Sequence, residues 1–63
     1  MSSKETIEIA VETRNFTDRA LLVFDGSAEV WIPRSLIEDY EGDEDAPVSI
    51  TVPVWLAEER GLV

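Results

Sequence analysis

Between Glu5 and Thr13 the apolar residues Ile7, Ile9 and Val11 alternate with Thr6, Glu8, Ala10 and Glu12. A period of two places the two sets on opposite sides of an extended chain, so this segment reads as a strand with one wet face. Asn15, Thr17 and Asp18 then supply residue types suited to a turn, and Phe16 among them is placed to fold back onto the core. The apolar run Ala20-Leu21-Leu22-Val23-Phe24 reads as a second strand. It leads into Asp25-Gly26, a pair favoured in hairpin turns because both central positions tolerate positive φ.

The returning strand is Ala28-Glu29-Val30-Trp31-Ile32, with Ala28, Val30 and Ile32 on one face and Glu29 and Trp31 on the other. Pro33 stops it by removing a ladder donor. Proline also suits the first turn of a helix, so Pro33 to Glu38 predicts a single helical turn that buries Leu36 and Ile37. Alternation resumes in Val48-Ser49-Ile50-Thr51-Val52, which turns Val48, Ile50 and Val52 to the core and ends at Pro53. From Pro53 to Arg60 the pattern changes to a short helix: proline at its start, Leu, Ala and Glu inside it, and Gly61 as its stop. Trp55 or Leu56, with Leu62, is expected to pin that helix down. The elements add up to an α+β fold, a mainly antiparallel sheet of about four strands with a short C-terminal helix packed on one face. Residues 1–63 are expected to form a single domain, with 1–4 flexible.

Composition narrows the chemistry. The 63 residues include no cysteine and no histidine, which removes disulfides, thiolate metal sites, the commonest general base and the commonest transition-metal ligand. With 44% hydrophobic residues the chain is too apolar for a disordered acidic tail. Neither a basic region leading into an apolar run nor a membrane-length apolar stretch occurs, so a soluble, cytoplasmic protein is expected.

Charge is the feature that points to a function. The formal net charge is -9, and residues 35–63 hold eight acids against Arg60 alone, or -7 of that total. Six carboxylates, Glu38, Asp39, Glu41, Asp43, Glu44 and Asp45, fall within eight positions around Tyr40 and Gly42. Repulsion among them reads as a solvated acidic loop over residues 38–47. An anionic surface disfavours direct binding to nucleic acid or an anionic membrane and favours a cationic partner.

The acidic run suits neither catalysis nor calcium. General acid/base work needs one carboxyl buried beside another left ionised, and an EF-hand needs a ligand order that Tyr40 and Gly42 break. No enzyme, cofactor or metal is therefore expected. The bland alternative is a solubilising surface, but a net charge of magnitude about 2–8 is ample for that purpose in a small domain. The functional alternative is an array of carboxylates offered to a basic groove that otherwise holds nucleic acid, because strand residues two apart lie roughly 6.6 Å from each other and phosphates advance about 3.4 Å per step. The first candidates are the six carboxylates of the run with Tyr40, an aromatic anchor within it; the second are Glu8, Glu12, Glu29, Glu58 and Glu59.

In size, charge and lack of cysteine the whole chain resembles small acidic phage-encoded anti-CRISPR proteins, the DNA mimics that act on type I surveillance complexes. Val30-Trp31-Ile32-Pro33-Arg34-Ser35 and Ile50-Thr51-Val52-Pro53-Val54-Trp55-Leu56-Ala57 look like segments of short phage reading frames. The resemblance implies a non-enzymatic inhibitor, acting in an infected or lysogenic bacterial host, that occupies the DNA path of an effector complex. It would act as a monomer or homodimer, a dimer being possible by addition at the edge of the first strand. The contrasting expectation is a small non-catalytic interaction or regulatory module that uses an apolar patch of Trp31, Trp55 and Tyr40.

Overall fold

The computed structural model describes residues 5–62, and the flexibility expected of residues 1–4 lies outside them. The fold is α+β and mainly sheet: β1 (Thr6–Ala10), β2 (Glu12–Phe16), β3 (Ala20–Phe24), β4 (Glu29–Pro33), a 3-10 turn (Arg34–Leu36), β5 (Asp39–Asp43), β6 (Ala46–Pro53) and α1 (Val54–Glu59). The strands form two antiparallel three-stranded sheets, β1-β6-β5 and β2-β3-β4, in place of the single four-stranded sheet expected.

The difference begins at Val11. The first alternating segment is two strands, parted at that one residue, whose N–H donates to Val48 O at 3.0 Å as the chain leaves one sheet for the other. Thr13 Oγ1, just inside β2, donates to Pro47 O at 2.9 Å, so β6 holds both halves of this bent ribbon. Asn15 and Phe16 continue β2 rather than forming the turn. The register slips between Thr13 and Asn15, and Phe16 is left 51% exposed instead of returning to the core.

The core lies between the sheets. Leu21, Val23 and Ile32 from one sheet meet Ile50 and Val52 from the other, and Leu56, Ala57 and Leu62 join the same cluster. Ile7, Ile9, Val11, Val30, Leu36 and Ile37 pack against it partly buried, as their alternation and the turn after Pro33 predicted. Val48 does not. Glu41 pairs with Ser49 and Gly42 with Pro47, which leaves Val48 as an extra residue on β6, 61% exposed. Such a bulge shifts the phase of a strand, and Pro47, Ser49, Ile50, Val52 and Pro53 are the buried residues of β6.

The helix begins one residue later than expected, with Pro53 as its N-cap. Leu62 N–H donates to Ala57 O at 2.8 Å and Gly61 N–H to Glu58 O at 3.2 Å, with Gly61 at φ 78°. This pair of bonds is the Schellman arrangement, which satisfies the last carbonyls and turns Leu62 into the core. Among the described residues no helix is long and apolar enough to cross a membrane.

The Asp25-Gly26 hairpin forms, but by a different device from paired positive φ values. Only Gly26 takes positive φ, while Asp25 Oδ1 accepts from the N–H groups of Ser27 at 2.8 Å and Ala28 at 2.7 Å. These bonds, that from Ala28 foremost, hold the Asp25 carboxyl below its ordinary value. A depressed folded-state pKa contributes stability above the ordinary carboxylate value and loses it as pH falls through the folded one. Asp25→Asn, which keeps an accepting oxygen, is expected to show a shallower loss of thermal midpoint than the parent below about pH 4. Equal acid profiles would show that the turn does not depend on the charge.

Candidate functional site

The acidic run is not a loop. Asp39–Asp43 is the edge strand of the β1-β6-β5 sheet, joined to β6 by the two-residue turn Glu44-Asp45. Every residue of this strand is exposed. Backbone pairing to β6 overcomes the mutual repulsion that was expected to keep residues 38–47 unstructured. Glu38 is also tied in, through its N–H to Thr51 O at 2.7 Å.

The six carboxylates divide by what they touch. Asp39 Oδ1 accepts from Tyr40 N–H at 2.8 Å, and Asp43 Oδ1 accepts from Asp45 N–H at 3.1 Å, so both brace their own backbone. Asp45 pairs with Arg34 at 2.9 Å. Arg34 in turn donates from Nε to Thr17 O at 3.0 Å and lies over the Phe16 ring, which fastens the hairpin turn to the β2–β3 connection. Glu38, Glu41 and Glu44 have no side-chain hydrogen bond or ion pair among the described residues.

Sheet register brings one of the second-rank candidates to the run. Asp39 and Glu8 both pair with Thr51, from opposite sides of β6, and therefore stand in one row across the sheet. Two strand spacings separate them, roughly 10 Å, with Glu41 roughly 7 Å along from Asp39 on the same face. Glu8 Oε2 accepts from Ser49 Oγ at 3.1 Å, which orients that carboxylate on the sheet. The others lie elsewhere. Glu12 and Glu29 flank Phe24 in a row of the β2-β3-β4 sheet, Glu12 paired with Arg14 at 3.6 Å, and Glu58 and Glu59 are exposed on α1.

The aromatic candidates come from three elements: Trp31 is on β4, Tyr40 on β5 and Trp55 on α1, respectively 44%, 44% and 47% exposed. Tyr40 lines a cleft of about 130 Å³ with Leu21, Arg34, Ile37, Glu44 and Pro47. The outward face of β2-β3-β4 carries Leu22 paired with Trp31, beside Phe24, whose ring is covered by the Arg14 guanidinium at 4.6 Å. Sequence reasoning missed this face and the tethering role of Arg34. The signal for the face was present, since Ala20 to Phe24 has no polar residue, as in strands covered on both sides.

Gly42 controls the shape of the acidic strand. It has φ 96°, and a Cβ there would come within 3.3 Å of Val48 N at the bulge. Gly42→Ala combines a left-handed backbone with that crowding, and is expected to cost about 1–2 kcal/mol, lowering the melting midpoint by roughly 5–15 °C. An unchanged midpoint would mean that the strand end relaxes without cost.

Among the described residues no three carboxylates converge as metal ligands. Comparison with family models, curated proteins and solved structures found no match to this chain.

Proposed function

We propose that this chain is a non-catalytic inhibitor that presents the carboxylates of its β1-β6-β5 sheet and β5–β6 hairpin to the basic nucleic-acid path of a DNA-binding effector complex. Type I CRISPR surveillance complexes are the targets that its overall character suggests. The reading is supported above all by the order of the acidic strand: Glu8, Asp39 and Glu41 stand on one face at strand spacing, with Glu38 and Glu44 beside them free of ion pairs among the described residues. Carboxylates on a paired strand lose less conformational freedom on binding than carboxylates on a loop, so more of their Coulomb attraction survives as affinity. No single residue dominates such a face, and the association it gives is fast and salt-sensitive.

The test is capture of nucleic-acid-binding complexes on the immobilised protein at low and moderate salt, with and without excess duplex DNA. Release by both DNA and salt supports mimicry. Capture indifferent to both favours the second reading, an interaction module, for which the outward Leu22, Phe24 and Trp31 face of the other sheet is the specific observation.

A further inference from the structure

The cleft beside the hairpin joins three kinds of wall. Leu21, Ile37 and Pro47 are apolar, Tyr40 contributes an aromatic ring, and Glu44 and Arg34 bring charge to its rim. Arg34 is already neutralised there by Asp45 at 2.9 Å and further committed to Thr17 O, so Arg34, Asp45 and Glu44 together leave one negative charge on the rim. A volume of about 130 Å³ is well below the range of drug-sized ligand pockets and is on the scale of one amino-acid side chain.

We infer that this cleft receives a lysine side chain of the partner, its methylene stem along Ile37 and the Tyr40 ring and its ammonium beside Glu44. The inference rests on the reading of the acidic hairpin as a surface for a basic partner and gives that surface its anchoring point. Lysine suits the walls because its four-carbon stem is apolar and its charge is compact. Tyrosine rings attract such a cation over their face, more strongly where the site is partly desolvated. The surrounding carboxylates steer the encounter, whereas the cleft fixes where along the hairpin it ends.

The experiment is a titration of the ¹⁵N-labelled chain with octalysine at low salt, followed through backbone amides, on the parent, Glu44→Gln, Tyr40→Leu and Glu41→Gln. The expected result is that the amides of Leu21, Arg34, Ile37, Tyr40 and Glu44 shift most, and that Glu44→Gln and Tyr40→Leu each weaken binding about fivefold, more than Glu41→Gln does. Should Tyr40→Leu lose the dispersed spectrum of a fold, Glu44→Gln decides alone. Shifts that follow Glu8, Asp39 and Glu41, with parent-like affinity for Glu44→Gln, overturn the cleft and leave the acidic face intact. Absence of shifts at every carboxylate overturns both.

Discussion

Replacing Ile50 with alanine is expected to remove a large share of the folding free energy. Ile50 has no exposed surface, and it sits on the central strand of the β1-β6-β5 sheet, paired with Ile9 on one side and Tyr40 on the other. Its side chain faces Leu21, Val23 and Ile32 of the second sheet within one buried cluster. Truncating a buried isoleucine to alanine costs about 2–5 kcal/mol, because the neighbours fill the void only in part. A chain of this length has a total stability of roughly 3–9 kcal/mol at typical values per residue. The loss is thus comparable with the whole. Two positions earlier, Val48→Ala removes a side chain that is 61% exposed on the bulge, and is expected to stay within about 0.5 kcal/mol of the parent. Urea denaturation followed by circular dichroism compares the two. Equal losses would mean that Val48 is part of the core and that the register of β6 is different.

The triple variant Glu38→Gln, Glu41→Gln, Glu44→Gln is expected to fold as the parent does and to bind a basic partner about ten- to a hundredfold more weakly, from three exposed pairs at up to roughly 1 kcal/mol each. These three glutamates are chosen because the aspartates of the run support the backbone or hold Arg34. Changing all six acids confounds binding with folding. Each amide removes one negative charge, taking the formal net charge from -9 to -6. Most of the change should appear in the association rate and in the slope of affinity against salt, since long-range steering is what screening removes. Binding assays across a salt series make the comparison. A triple variant with the parent's affinity at low salt would remove the acidic hairpin from the interface and leave the Trp31 face as the better candidate.

Much of the fold was legible because local chemistry and tertiary position agree. Pro33 and Pro53 end strands, Asp25-Gly26 makes a hairpin, and Gly61 closes a short helix, all for reasons contained within a few residues. The break at Val11 was not legible. A strand that passes from one sheet to another keeps its period of two, so Ile7, Ile9 and Val11 look the same whether the ribbon is straight or bent. The β5 strand was hidden for the opposite reason: both its faces meet solvent, so Asp39 to Asp43 has no apolar alternation and reads as a charge run. Val48 was misplaced because a bulge is decided by the partner strand, and nothing within Val48 to Val52 announces that Gly42 will pair with Pro47. At the candidate site the types of residue were visible and their division of labour was not. Which aspartates brace the chain, and which glutamates make no ion pair among the described residues, depends on where Arg34 and the turn amides fall.

The pairing of β1 with β6 joins Thr6 to Pro53, contacts nearly as far apart in sequence as the described residues permit. The β3–β4 and β5–β6 hairpins close short loops and can appear within microseconds, whereas docking the first strand against the last must recruit almost the entire chain at once. Where that pairing is not made, β6 has one open flank and its apolar residues lack part of their cover. While that flank is open, the like charges of the neighbouring β5 strand disfavour edge-to-edge pairing with a second copy of the chain.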